Sequence, residues 1–129
     1  MDDRERHDQG MAVRRAVLGD AHVARSQAKR TDFNAEFLDL IVRYAWGEIW
    51  TRPGLERRTR SMITLAMMTA LGRWDELKLH LRGALNNGVN AAEIKEVLLQ
   101  AAIYAGVPAA NTAFHLAAEV LAEEGETRP

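Results

Sequence analysis

Apolar side chains recur at helical spacing along almost the whole chain, and this periodicity most constrains the fold. Ala, Leu, Glu and Arg dominate these segments, and no stretch shows the sustained alternation of β-branched residues that is typical of strands. We predict an all-α fold, a helical bundle of about six to seven helices that forms a single domain over residues 1–129.

Three helices are predicted before residue 50. The first spans residues 3–18, and Asp20 is expected to cap a short second helix. Thr31 or Asp32 is expected to cap the third helix. The apolar face of this third helix consists of five residues at helical spacing, namely Phe33, Phe37, Leu40, Ile41 and Tyr44.

Four further helices are predicted after residue 55. Residues 61–71 are apolar nearly all round, which predicts a buried central helix. Residues 74–87 are amphipathic, with an apolar stripe of Trp74, Leu77, Leu81 and Leu85. The spacing of Asn90 and Glu93 is close to that of a capping box and predicts the start of the next helix. Pro108 suits the first turn of the last helix, which is rich in alanine.

Composition excludes several classes of function. The net charge of −1 provides no field that would favour nucleic acid or an anionic membrane. The 129 residues contain no cysteine, so disulfides, thiolate metal sites and thiol catalysis are excluded. The N-terminal residues are charged and no long apolar run follows, which predicts a cytoplasmic protein without a signal peptide or membrane span.

Residues 47–55 form the segment with the most functional information. Pro53 and Gly54 predict a loop here, and the segment also carries Glu48, Trp50 and Arg52. An aromatic ring, a carboxylate and guanidinium groups suit a pocket for a small anionic ligand, because arginine binds carboxylates through two hydrogen bonds. The alternative is a loop whose tryptophan docks into the core and whose arginines are solvated.

His80 is the histidine that stands out, because it lies at the margin of an apolar stripe, one turn after Glu76. Glu76 could orient and charge the imidazole, which would make His80 a proton donor near neutral pH. The alternative is a boundary histidine in a structural pair with Glu76. His7, His22 and His115 are expected on polar faces. A metal site is poorly supported, since no second Glu/His pair would complete a ligand shell.

Four segments of the chain are similar to a known family, and together they cover nearly its whole length. They are GMAVRRAVLGDAHV (10–23), YAWGEIWTRPGLERRTRSMITLAMMTALGR (44–73), ELKLHLRGALNNG (76–88) and EIKEVLLQAAIYAGVPAANTAF (93–114). In these segments the chain resembles the carboxymuconolactone decarboxylase and alkylhydroperoxidase-D-like superfamily. The resemblance implies an alkylhydroperoxidase-D-like helical bundle that assembles as a homo-trimer or homo-hexamer.

The peroxidase branch of this superfamily carries a CxxC motif ahead of the histidine that aligns with His80. Residues 73–76 of this chain contain no sulfur, so thiol peroxidase activity is chemically impossible here. The resemblance instead implies a carboxy-lyase. The implied reaction is the cofactor-independent decarboxylation of γ-carboxymuconolactone, a dicarboxylate lactone, to β-ketoadipate enol-lactone in the β-ketoadipate pathway of aromatic catabolism.

The resemblance also implies roles for individual residues. His80, held as an imidazolium by Glu76 or Glu48, would stabilise the developing oxyanion or donate the proton. The alternative that Glu48 is the proton donor stays open. Arg52 and Arg60 would bind the substrate carboxylate.

Two aromatic residues complete the implied site, since Trp50 and Tyr104 would form an apolar wall around the carboxylate that leaves.

Two other functions stay open on the same scaffold. One is a non-catalytic or repurposed oligomer that binds a small acid. The other is a decarboxylase or isomerase for a related lactone.

Overall fold

A computed structural model describes residues 1–125 of the chain. Throughout these residues every regular element is a helix, and no strand occurs, which confirms the all-α prediction. Contacts between backbone segments divide the chain into two compact units, Met1–Glu56 and the part from Arg57 onward. A single domain over the whole chain stays a prediction.

The first unit consists of three α-helices and a wider helical segment. These are α1 (Asp3–Leu18), α2 (Asp20–Ala28) and α3 (Ala35–Leu40), which continues into a π-helical segment, Ile41–Ile49. Asp2 caps α1, since its Oδ1 accepts a hydrogen bond from the backbone N–H of Glu5 at 2.8 Å. Helix α1 packs against α2 and the π-helical segment. A small core of Met11, Val23 and Val42 lies among them.

The predicted caps of the second and third helices are wrong. Gly19, with φ of 90°, occupies the N-cap position of α2 and makes no side-chain cap, so Asp20 already belongs to the helix. Asn34 occupies the N-cap position of α3. Its side chain accepts a hydrogen bond from the N–H of Thr31 and donates one to the carbonyl of Lys29. The polar side chain here stabilises the preceding turn and does not cap the helix.

Most of the residues predicted to form the apolar face of the third helix are exposed. Phe33 is 99% exposed and Phe37 is 61% exposed. Leu40 and Tyr44 are exposed as well, and Ile41 is half-buried. Phe33 lies in the turn before α3, and Ile41 and Tyr44 lie in the π-helical segment, so the five residues do not lie on one α-helix as predicted.

The second unit consists of four α-helices. They are α4 (Arg57–Leu71), α5 (Trp74–Asn86), α6 (Ala91–Tyr104) and α7 (Val107–Glu124). The predicted stripe of α5 is confirmed, because Leu77, Leu81 and Leu85 are buried, and Trp74 packs against their cluster. The capping box is confirmed in both directions, since the Asn90 and Glu93 side chains each accept from the other's backbone N–H.

Helix α4 corrects the prediction of a helix buried all round. Only one row of its residues is fully buried, formed by Ser61, Leu65 and Thr69. The Ser61 hydroxyl accepts a hydrogen bond from the Asn87 side chain at 2.9 Å, and the Thr69 hydroxyl donates to the Leu65 carbonyl. These hydrogen bonds allow hydroxyl groups in the core. Three large apolar residues lie exposed elsewhere on the helix, namely Ile63, Met67 and Leu71.

The last helix follows the prediction closely. Gly106, with φ of 109°, precedes α7, and Pro108 lies in its first turn. Ala110, Ala113 and Ala117 are buried on the face that packs against α5 and α6. Among the helices of residues 1–125, none combines the length and the apolar character needed to cross a membrane.

Candidate active site

Helix α1 and the π-helical segment approach each other at two glycines. A Cβ atom on Gly47 would lie 2.2 Å from the carbonyl oxygen of Arg6, and one on Gly10 would lie 2.2 Å from that of Val42. Any side chain at either position would therefore push the two backbones apart. Because glycine has no side chain, the first turns of α1 can lie close to Glu48, the residue that follows Gly47.

Glu48 is held by an arginine that sequence reasoning missed. Its Oε2 accepts a hydrogen bond from Arg6 Nε at 3.1 Å. Arg6 also pairs with Asp3 at 3.0 Å, and its guanidinium lies 5.7 Å from the centre of the Tyr44 ring. No local pattern points to this pair, because Arg6 and Glu48 are 42 positions apart.

This contact bears on the chemistry open to Glu48. The hydrogen bond to Glu48 raises the pKa of Arg6, so the arginine remains charged. The contact is a charge-assisted hydrogen bond in which a Glu48 carboxylate oxygen is the acceptor. The structure thus shows Glu48 engaged with a cation of α1, which suits the role of charge partner.

Trp50 stands at the end of the π-helical segment rather than within a loop. Its ring stacks on that of Trp46, with centroids 5.1 Å apart and planes inclined by 29°. Trp46 is buried and Trp50 is half-buried, so the inner ring anchors the outer one. The Thr51 hydroxyl donates to the Gly47 carbonyl at 2.7 Å, which ties down the following turn. Arg52 lies exposed on that turn.

His80 lies on α5 where the periodicity predicts it, at the margin of the Leu77 and Leu81 stripe. The residue is half-buried, and its Nδ1 atom is buried. Glu76, one turn earlier on the same helix, is exposed. The imidazole is therefore carried by a rigid helix with one ring nitrogen inside the protein, which is a suitable arrangement for an oriented acid or hydrogen-bond donor.

Arg60 and Tyr104 lie in different surroundings within the second unit. Arg60 is half-buried on α4, next to the buried Ser61, and its Nε atom is buried. Tyr104 is 85% exposed at the end of α6. It lines an open groove of about 460 Å³ between α4 and α6, whose other lining residues are mostly apolar. His80 is not among the residues that line this groove.

Arg58, two residues before Arg60 on α4, has a structural partner on another helix of the same unit. Its guanidinium pairs with the carboxylate of Glu93, the residue that also completes the capping box of α6. The hydrogen bond from Arg58 lowers the pKa of Glu93, and that from the Asn90 backbone lowers it further. We therefore assign Arg58 to the stability of the second unit rather than to ligand binding.

The predicted site residues fall into two groups, one in each unit. The first unit holds Glu48, Trp50 and Arg52 close together along the chain. The second unit distributes Arg60, Glu76, His80 and Tyr104 over α4, α5 and α6. Within residues 1–125, no three His, Asp or Glu side chains are grouped so that they could hold a metal ion.

Comparison with known proteins provides independent evidence. Residues 35–119 match the model of the carboxymuconolactone decarboxylase family. The chain is 52% identical to a 4-carboxymuconolactone decarboxylase of Acinetobacter baylyi over 125 residues, which cover 97% of this chain and 93% of the relative. It is 58% identical over 48 residues to a 4-carboxymuconolactone decarboxylase of Pseudomonas putida, covering 37% of this chain and 100% of that sequence.

A third relative is named for a different substrate. The chain is 46% identical over 101 residues to a nitrosuccinic acid decarboxylase of Metarhizium robertsii, which cover 78% of this chain and 71% of the relative. These three relatives are named as decarboxylases, and the family match covers both His80 and residues 47–55. The chain belongs to the carboxymuconolactone decarboxylase family.

Proposed function

We propose that this chain is a carboxy-lyase that converts γ-carboxymuconolactone to β-ketoadipate enol-lactone in the β-ketoadipate pathway. The observation that carries the proposal is the 52% identity to a 4-carboxymuconolactone decarboxylase over nearly the full length of both chains. The helical scaffold and the candidate residues on it are consistent with this activity. A cytoplasmic location stays a prediction.

The reaction needs only placed charges and a proton. The bond between the ring carbon and the leaving carboxylate breaks, CO₂ departs, and the electron pair flows through the conjugated double bond onto the lactone carbonyl. The resulting dienolate then takes up a proton at the carbon next to that carbonyl. The substrate itself accepts the electrons, so the chain's own task is to bind a dianion, stabilise the developing oxyanion and deliver the proton.

We assign the proton donor to His80 and the role of charge partner to Glu48. The Arg6 hydrogen bond supports this assignment, because a Glu48 carboxylate oxygen already accepts from the Arg6 guanidinium. An imidazolium carries a proton that it can release near neutral pH, and it can also donate a hydrogen bond to an oxyanion. Glu76, exposed on the same face of α5, would keep the imidazole charged.

We assign the remaining predicted residues to substrate binding. Arg52 and Arg60 would pair with the carboxylate that the substrate keeps. Trp50, anchored by its stack on Trp46, would cover the carboxylate that leaves, as would Tyr104. Loss of water around that group favours the transition state, in which its charge is dispersed.

We also propose that the protein is a homo-oligomer, a trimer or a hexamer. Exposed apolar surface in both units supports this proposal, because monomeric proteins rarely leave such patches open. The first unit exposes Phe33, Phe37 and Leu40, and the second exposes Ile63, Met67 and Ile103. Light scattering at micromolar concentration tests the assembly, and a monomer would contradict it.

The deciding experiment is to supply enzymatically generated γ-carboxymuconolactone to the purified protein and to follow CO₂ release. We expect turnover without added cofactor and in the presence of EDTA. Loss of activity on chelation that a divalent ion restores would contradict the mechanism. Nitrosuccinate should be assayed in parallel, because a fungal relative is named for that acid. Turnover of nitrosuccinate alone would replace the proposed substrate, and binding without turnover of either acid would favour a repurposed oligomer.

A further inference from the structure

Arg14 is a buried cation whose hydrogen-bond partner is a neutral serine hydroxyl. It lies on α1, is 8% exposed, and its Nη2 donates to the hydroxyl of Ser26 on α2 at 2.8 Å. In the part of the chain that the structure describes, no carboxylate forms an ion pair with Arg14. Burial lowers the pKa of the Arg14 guanidinium, and the neighbouring charge of Arg15 lowers it further.

Two other arginines of the first unit have carboxylate partners. Arg6 pairs with Glu48 and Asp3, and Arg30 forms two hydrogen bonds with Asp39. Both are more exposed than Arg14, although exposed cations gain least from a partner. A buried guanidinium with one neutral partner is costly, because buried charges in proteins are ordinarily paired and hydrogen-bonded.

We propose that Arg14 and Ser26 form a binding site for the carboxylate that the substrate keeps during the reaction. A guanidinium has five N–H donors, and Ser26 uses one of those of Arg14. The others can bind a carboxylate through two parallel hydrogen bonds. Because the Ser26 oxygen accepts from Arg14, its own O–H can donate to the same anion.

The choice between the two substrate carboxylates follows from electrostatics and rests on the proposed function. A close cation stabilises the ionised ground state of the carboxylate that it binds. Such binding would oppose departure of that group as neutral CO₂, whereas the retained carboxylate keeps its charge throughout. Arg14 is thus placed at the retained carboxylate, and this adds a buried cation to the exposed Arg52 that the sequence indicated.

The test compares two adjacent arginines of α1. Arg14→Met keeps an unbranched apolar stem but removes the charged guanidinium, and Arg15→Met is the matched control on an exposed position. We expect Arg14→Met to raise KM about 10-fold to 100-fold, as for other hydrogen bonds to charged groups, and to change kcat less than about 3-fold. Arg15→Met should match wild type. Equal KM values for Arg14→Met and wild type would overturn the proposal.

Two further variants keep the test decisive if Arg14→Met does not fold. Arg14→Lys keeps a charge without the planar fork, and Ser26→Ala removes the second donor. We expect both to raise KM by less than Arg14→Met does. If Arg14→Met unfolds and both of these variants bind substrate like wild type, Arg14 is structural and the proposal is wrong. A well-folded Arg14→Met with an unchanged or higher unfolding midpoint would agree with it, since a buried charge contributes little to stability.

A binding readout separates this inference from the proposed function. Succinate, a simple dicarboxylate, is titrated against each variant while thermal unfolding is followed. We expect succinate to raise the unfolding midpoint of wild type and Arg15→Met but not of Arg14→Met. This result without any CO₂ release from the lactone would contradict the proposed function and leave the anion site standing. Equal stabilisation of Arg14→Met would overturn the anion site itself.

Discussion

Helix α5 of the second unit and helix α3 of the first unit differ in how well the hydrophobic pattern of the sequence predicts burial. In the second unit, the α5 stripe of Leu77, Leu81 and Leu85 is buried as its spacing predicts. In the first unit, Phe33 and Phe37 have the spacing of a core face and are exposed. Helical periodicity therefore predicts an apolar face in both units, but it does not say whether the same chain covers that face.

Charged groups show the same contrast. In the second unit, Arg58, Lys78 and Arg82 all pair with carboxylates that lie on other helices of the same unit. In the first unit, Arg14 is buried and donates to a serine hydroxyl, and within residues 1–125 no carboxylate forms an ion pair with it. Both units leave apolar side chains exposed, so the contrast concerns Arg14, a buried cation whose hydrogen-bond partner is a neutral hydroxyl.

The strongest test of the contrast in burial compares Leu81→Ala with Phe33→Ala. Leu81 is 1% exposed, so we expect its truncation to cost about 2–5 kcal/mol of unfolding free energy at every protein concentration. Phe33 is 99% exposed, and its truncation should cost little in dilute protein and more as assembly covers the ring. Urea unfolding at two protein concentrations measures both. A large cost for Phe33→Ala that does not depend on concentration would contradict the contrast.

Kinetics can assign the proton donor to one unit. We expect His80→Ala to lower kcat by at least about 10²-fold, as for a lost general acid, with the fold intact by circular dichroism. His7→Ala and His115→Ala are the controls and should change kcat little. If His80→Ala kept near-wild-type turnover while Glu48→Gln abolished it, the donor would be the carboxylate of the first unit. His80 would then be a boundary histidine with a structural role.

The crossing of α1 and the π-helical segment can be tested with two glycines. A Cβ at position 47 would lie 2.2 Å from the Arg6 carbonyl oxygen, whereas one at Gly54 would meet nothing within 4 Å. We expect Gly47→Ala to destabilise the protein by about 1–3 kcal/mol, the usual cost of overpacking, and Gly54→Ala to be nearly neutral. Thermal unfolding measures both variants. Equal stabilities would show that the crossing tolerates a side chain.

The smallest expected effect concerns acid stability in the second unit. Arg58 lowers the pKa of Glu93 below its unfolded value, so the folded chain holds the Glu93 proton less tightly than the unfolded chain. This contribution to stability is present above the unfolded pKa and is lost as the pH falls through the folded pKa. Glu93→Gln should therefore flatten the acid limb of the stability curve slightly. Glu96→Gln, an exposed neighbour on α6, is the control and should leave that limb unchanged.

Much of the fold could be predicted because helices depend on neighbouring residues. The α5 stripe, the Asn90 capping box and the glycine after α1 all act within one or two turns, so their signals lie together in the sequence. The caps near Asp20 and Thr31 were predicted wrongly for a related reason. Several polar residues there can form a cap or a turn, and the surrounding backbone decides between them.

For the candidate site, the sequence by itself determined which chemical groups are present. These are a histidine at the margin of the apolar α5 stripe, a carboxylate and a tryptophan just before Pro53 and Gly54, and no thiol. Only the tertiary structure decided how these groups are held. It paired Arg6 with Glu48 across 42 positions, and it buried Arg14 beside a serine. The physical reason is that pairing and burial depend on which backbones come together, as Gly10 and Gly47 allow here, and no local pattern records that.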